Sequence, residues 1–157
     1  MRIATMMIAA TMLAGGAVPA MAQDRAADKK AVMEAARAQW QAGIQQAPMA
    51  EQYATVADDY TEFNATSPAL IRGKPRAMAL TSAYDQGGGA TLFGDMENAH
   101  VQLYGDTAIL SYNYVGVQRD REGNVEPQNA KSTRVYVKMD GEWKLVHANF
   151  QPAPIME

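Results

Sequence analysis

The spacing of hydrophobic residues changes once along this chain, from helical in the first half to alternating in the second. From Asp24 to about Gln46, the residues Met33, Ala36, Trp40, Ile44 and Ala47 recur at steps of three and four, which predicts a helix with one apolar stripe. Asp24 and Asp28 stand early in it, where negative charge suits the positive end of a helix. Pro48 breaks or restarts that helix. Met49 to Ala57 reads as a second, short helix carrying Tyr53 and Val56. Asp58-Asp59 then precedes a short extended run, Tyr60-Thr61-Glu62-Phe63. Asn64 to Lys74, with Pro68 and Gly73, predicts a loop. Pro75 opens a third helix at a position where its missing N–H costs nothing, and Gly87-Gly88-Gly89 ends it.

From Thr91 onward the period is two. Ala99, Val101 and Leu103 alternate with His100, Gln102 and Tyr104, and Gly105-Asp106 makes a turn. Thr107 to Gln118 is a long strand, and the polar stretch Asp120 to Asn129, with Gly123 and Pro127, predicts a hairpin loop. Ser132 to Met139 follows as a strand, Asp140-Gly141 is a strong two-residue hairpin signal, and Trp143 to Gln151 is the last strand. Helices first and a run of antiparallel strands afterwards is an α+β pattern. The central strands read as apolar on both faces. On one, Ala108, Leu110, Tyr112 and Tyr114 alternate with Ile109, Val115 and Val117. Helices cover one face of such a sheet, so a partner subunit is expected on the other, giving a homodimer or larger.

The first residues are expected to be a leader rather than part of the fold. Arg2 is a minimal positive region, Ile3 to Val18 is apolar or small, and Ala20-Met21-Ala22 fits the cleavage pattern. Residues 1–22 are therefore expected to be removed, leaving 23–157 as one exported domain, periplasmic or secreted. The apolar run is short for a membrane span. The 157 residues contain no cysteine, which excludes disulfides and thiolate chemistry. The formal charge is −3, and loss of Arg2 makes the remainder one unit more acidic. Scattered lysines and arginines argue against nucleic acid or an anionic membrane as the main partner.

Candidate chemistry is sparse. Arg134 lies mid-strand between apolar neighbours, and buried arginine needs a partner. It either anchors a ligand carboxylate or forms a structural ion pair with Glu62, Asp58 or Asp59. Tyr112, Tyr114, Tyr136 and Phe150, with Trp40 and Phe63, either line a concave surface suited to a flat or apolar ligand or pack as core. Asp58 and Asp59 are weak candidates for a general base, with capping of the helix-to-strand junction as the alternative. His100 and His147 have no metal-site spacing and read as structural. The triple glycine lacks the preceding strand and the following Lys-Ser/Thr of a phosphate loop, so it reads as a connector. Asn64-Ala65-Thr66 fits a glycosylation sequon, which matters only in a eukaryotic source. Nothing points to a cofactor or a metal.

Several segments carry a family resemblance: His100 to Asp106, Thr133-Arg134-Val135, Asp140-Gly141-Glu142-Trp143-Lys144-Leu145-Val146-His147 and Ala153-Pro154, with a weaker match from Tyr60 to Arg76. Together with the element order they resemble the nuclear transport factor 2-like, or SnoaL-like, superfamily. Within it the chain is similar to the association (hub) domain of calcium/calmodulin-dependent protein kinase II and its stand-alone bacterial relatives. The resemblance covers about Arg25 to Pro154. It implies a cone-shaped domain with a bent sheet around a pocket and oligomerisation through the sheet. It implies no kinase activity, since no kinase motif is present. Hub-domain arginines can hold small carboxylates. Arg134 matches one such position, while Tyr114 and Phe150 stand at two others, implying a more aromatic and less basic pocket. The expected function is a non-catalytic small-molecule-binding or oligomeric assembly module. A pocket enzyme of isomerase, cyclase or hydrolase type with an Asp base, and a purely structural scaffold, are the alternatives, because one fold hosts many functions.

Overall fold

Three helices lie against one face of a six-stranded sheet in a computed structural model that describes residues 20–153. Helix α1 (Ala20–Ile44) buries Ala36 of the predicted stripe completely, together with Val32, which the stripe did not include, while Met33 and Trp40 are partly buried. Helix α2 is only Met49–Gln52, and helix α3 is Lys74–Gln86 with Pro75 in its first turn. The strands are β1 (Val56–Asn64), β2 (Ile71–Arg72), β3 (Ala90–Tyr104), β4 (Thr107–Arg119), β5 (Val125–Met139) and β6 (Glu142–Pro152). The leader expected at residues 1–22 lies outside the described residues except for the backbone from Ala20, which belongs to α1.

The spatial order is β2-β1-β6-β5-β4-β3. The last four strands form an antiparallel meander, as the alternating pattern predicts. Strand β1 joins β6 in parallel, which differs from a purely antiparallel sheet. The chain leaves β1 through α3 and crosses to the far edge at β3. The meander then returns β6 to the side of β1. Register shifts in β3 around Leu92 and Asn98, and in β6 beside Val146, insert bulges that curve the sheet without closing it. Asn98 takes a left-handed φ of 52° in its bulge, a conformation asparagine accepts more readily than most residues. Asp140 and Gly141 both have positive φ, as the predicted two-residue hairpin requires.

Three boundaries differ from the sequence expectation. Val56 and Ala57 begin β1 rather than end α2, because Val56 pairs with Leu145 and Leu145 N–H donates to the Thr55 carbonyl at 2.8 Å. Strand β2 sits inside the expected loop, where Ile71 pairs with Glu62 and is buried. The expected loop from Asp120 to Asn129 contracts to a turn closed by Asp120, whose carboxylate accepts from Asn124 N and Nδ2 at 2.8 Å each. Pro127 is accommodated in β5 because pairing with β6 starts only at Ala130.

Alternation sorts the sheet into two faces. Ala108, Leu110, Tyr112 and Tyr114 of β4, with Ala130, Ser132, Arg134 and Tyr136 of β5, are all buried on the helix side. The opposite, outer face carries Ile109, Val115, Val117, Val135 and Val137, all half-buried. Ser111, Asn113, Lys131 and Thr133 interrupt that apolar surface, so it is less continuous than the sequence pattern suggests. Helix α1 packs chiefly on β3, and α3 packs on β1 and β2, so the inner face of β5 and β6 lies between them.

Candidate functional site

Arg134 is the charge at the centre of the inner face. It is 8% exposed. Its Nε donates to Tyr112 Oη at 2.9 Å and its Nη1 to Gln39 Oε1 of α1 at 2.7 Å. The guanidinium lies 5.2 Å from the Trp40 ring centroid, where a cation is attracted to the ring face. Nη2 finds no hydrogen-bond partner among the described residues. Burial opposes the charge, while the surrounding Tyr112, Tyr136 and Tyr60 favour it, and the balance raises the Arg134 pKa above its usual value. None of the ion pairs among the described residues includes Arg134, so the expected pairing with Glu62, Asp58 or Asp59 does not form.

The aromatic candidates divide. Trp40 packs against Tyr112 at 5.5 Å and Tyr114 at 5.4 Å, and Tyr114 packs edge-on against Phe150 at 5.2 Å. Such tilted and edge contacts suit ring quadrupoles. Tyr136 stands two residues from Arg134 on the same face and is 1% exposed. The Arg134 guanidinium lies close enough to the Tyr136 hydroxyl to counter part of the rise that burial causes there, although the contact falls outside strict hydrogen-bond geometry. Burial pushes the Tyr114 hydroxyl up to about 12, with Tyr112 adding to the rise and Arg134 opposing it. Phe63 is not part of this cluster. It points to the outer face, is 50% exposed and packs edge-on against His147. Alternation puts it opposite Tyr60 and Glu62, which face inward.

Asp58 and Asp59 are exposed and lie apart from the tyrosines, in a groove of about 560 Å³ shared with Lys74, Asp140, Glu142 and Lys144. A second hollow of about 370 Å³ lies on the outer face between His100, Asn113, Lys131 and Gln151. Arg134 lines neither, although Tyr112 borders the second. His147 Nδ1 shares a 2.8 Å hydrogen bond with Thr61 Oγ1, a structural use, while His100 is exposed. The triple glycine connects α3 to β3, with Gly89 under the Tyr84 ring.

Four residues join the site that were not singled out as ligand contacts: Gln39, Tyr53, Tyr60 and Glu62. Tyr60 Oη donates to Glu62 Oε2 at 2.9 Å, and Tyr53 Oη shares a 2.7 Å bond with Thr81 Oγ1. Burial, reinforced by Glu62 and opposed by Arg134, raises the Tyr60 pKa. Gln39 was detectable as a polar residue three after Ala36, on the apolar side of α1. Tyr60 and Glu62 were detectable by alternation within β1.

This architecture recurs in solved structures. A nuclear transport factor 2-like superfamily protein from Salmonella enterica serovar Typhimurium matches with a TM-score of 0.70 at 12% identity, over 85% of this chain and 96% of that one. A ketosteroid isomerase-like protein from Erwinia carotovora atroseptica matches at 0.69 and 17% identity, over 82% and 98%. The calcium/calmodulin-dependent protein kinase II hub of S. rosetta matches at 0.65 and 23% identity, over 79% and 95%. At these identities the likeness shows the fold, which is nuclear transport factor 2-like. No match is found among curated proteins. The sequence model of one family, however, spans residues 37–154, from the middle of α1 past the end of β6. By that match the chain belongs to the calcium/calmodulin dependent protein kinase II association domain family.

Proposed function

We propose that this chain is an exported, non-catalytic module that holds a small carboxylate against Arg134 and self-associates through the outer face of its sheet. One observation carries the ligand-binding part. A buried guanidinium is surrounded by neutral side chains, Tyr112, Gln39, Trp40 and Tyr136, and forms no ion pair among the described residues. A buried charge without a counter-charge is costly, and a planar carboxylate is the natural bidentate complement of a guanidinium. The Trp40, Tyr112 and Phe150 rings beside it suit the apolar remainder of such a ligand. The hub-domain likeness supports the same position. Asp58 and Asp59 have no role here, since they are exposed and hydrogen-bond to none of the tyrosines.

The test is titration calorimetry of the leader-free protein with acetate, pentanoate and benzoate, beside the Arg134→Met variant. Methionine keeps most of the side-chain volume, and circular dichroism checks that the variant folds. Binding by the native protein and loss in the variant is the expected result. No binding by the native protein, or equal binding by both, overturns the proposal. Export rests on the leader pattern, and N-terminal sequencing of protein recovered outside the cytoplasm is expected to start at Gln23.

Self-association is favoured by a different observation. The outer face presents Ile109, Val115, Val117, Val135 and Val137 half-buried, with Phe63, Phe93 and Tyr104 exposed around them. Apolar surface of this extent marks an interaction site.

A further inference from the structure

The outer face of the sheet carries a polar hollow in the middle of its apolar surface. On β4 and β5, Ile109, Val135 and Val137 lie to one side of it, and Val115 and Val117 to the other. Between these flanks two rows of polar side chains cross the strands. Register sets His100, Ser111, Thr133 and Asn149 side by side from β3 to β6. The next row holds Asn113, Lys131 and Gln151. Three inter-strand spacings make the first row about 14 Å long. Asn98, in the left-handed bulge of β3, also borders the hollow. Its volume of about 370 Å³ falls within the roughly 300–1,000 Å³ of small-molecule sites.

Most of these side chains are uncommitted. Asn98 Nδ2 donates to Asn113 Oδ1 at 3.1 Å. Among the described residues, the side chains of His100, Ser111, Lys131, Thr133, Asn149 and Gln151 make no hydrogen bond, and Lys131 joins no ion pair. On the inner face of the same strand, by contrast, Ser132 and Arg134 are both bonded. Strands β4 and β5 are paired on both edges, so the backbone holds Ser111, Asn113, Lys131 and Thr133 in fixed positions. Lys131 is the one lysine or arginine that lines the hollow, and no carboxylate does. Glu97 stands beside Asn113 in register but is not part of the lining. Amide and hydroxyl side chains both donate and accept, as the hydroxyls of a polyol do. An apolar ligand would leave these groups unpaired, at a cost for each. A bare anion would use Lys131 and little else. Phe63, beside Asn149 at the end of the first row and half exposed, adds a flat apolar surface at the rim. The C–H face of a sugar ring suits such a surface.

We infer that this hollow binds a sugar bearing one anionic group, its anion on Lys131 and its hydroxyls on the amide and hydroxyl side chains of the two rows. The site is independent of Arg134, which lies on the opposite face. A sugar acid and a sugar phosphate share this chemistry, since either anion suits a lysine ammonium. Occupation of the hollow does not compete with self-association for the same side chains, because the apolar flanks and the polar rows are different residues.

The test is titration calorimetry of the leader-free protein at low salt and neutral pH with glucuronate, glucose 6-phosphate, glucose and acetate. At least one of the two acidic sugars is expected to bind about tenfold more tightly than glucose, the gain of one charge-assisted contact. The tighter of the two identifies the anion. Lys131→Gln is expected to abolish that advantage while leaving glucose within about twofold of its native affinity. Asn113→Asp keeps an acceptor for Asn98 and sets a carboxylate beside Lys131 in register. It is expected to weaken the acidic sugars at least tenfold. Circular dichroism checks both variants, and each decides without the other if one fails to fold. No binding of either acidic sugar overturns the inference. So does acetate binding as tightly as the acidic sugars, which would mark a plain anion site. Binding of the acidic sugars that neither variant changes would place them elsewhere on the protein and overturn it too.

Discussion

Tyr114 shows how a single residue depends on what lies beneath it. Its ring rests on the registered glycine pair Gly94 and Gly116, between Trp40 and Phe150. A Cβ at Gly116 would come within 2.6 Å of the Tyr114 ring, and one at Gly94 within 2.6 Å of its hydroxyl. Glycine is required here for close approach rather than for backbone conformation. Gly116→Ala is expected to lower stability by about 1–3 kcal/mol, the usual range for overpacking, as read by urea unfolding. The same burial gives Tyr114 a pH signature. Its hydroxyl is raised from 10.0 to about 12 in the folded chain. A raised group contributes stability that is complete below its unfolded value and lost as pH rises toward its folded one. The native protein is therefore expected to lose roughly 2 kcal/mol between these values that Tyr114→Phe does not lose. Urea unfolding of both proteins between about pH 10 and pH 12 measures the difference. A constant gap between them would assign the alkaline loss to other groups.

Among the elements, α1 is the one whose attachment decides the shape of the site, because it delivers Gln39 and Trp40 to Arg134. Asp28 fastens its first half. Its Oδ1 accepts from Lys138 Nζ at 2.7 Å and from Trp143 Nε1 at 3.1 Å, joining α1 to β5 and β6. Lys138 also lies 5.4 Å from the Trp143 ring centroid. The hydrogen bond from Lys138 is the main cause that holds the Asp28 carboxyl below its usual 3.8, and partial burial works against it. A depressed carboxyl contributes stability above its unfolded value and loses it as pH falls through the folded one. Asp28→Asn is therefore expected to melt a few degrees lower than the native protein at neutral pH. The gap should close as the pH drops below about 3.8. Thermal melts by circular dichroism across that range check it, and a gap independent of pH would assign the effect to packing rather than charge.

In the molecule as a whole, no helix among the described residues covers the outer face of the sheet. Ile109 and Val135 are registered neighbours near its centre, with Val137 next on β5. A stable interface needs about 800 Å² from each partner. Val135→Glu places a charge in the middle of that surface and is expected to convert the assembly to monomers in size-exclusion chromatography with light scattering. Asp58→Asn, in the strand-end groove, should leave the assembly intact. A native protein that is already monomeric would remove the sheet face as an association surface.

The periodic pattern alone determined the order of the helices and of the four meander strands, the Asp140-Gly141 hairpin, and the shared faces of Tyr112 with Tyr114 and of Arg134 with Tyr136. These follow from local physics, since a period of two assigns a face and a turn residue with positive φ assigns a hairpin. The family likeness was legible for the same reason, because its motifs lie on those strands. Other features belonged to the tertiary structure. The parallel pairing of β1 with β6 depends on where the chain returns after α3, which no local pattern encodes. Strand β2 is two residues long and too short to show a period. Phe63 belongs to the outer face because one step along a strand reverses the side, and the start of β1 lies earlier than the extended run suggested. The outer-face row that sets His100, Ser111, Thr133 and Asn149 side by side joins four strands. Only strand register, a property of the folded sheet, brings these polar side chains around one hollow.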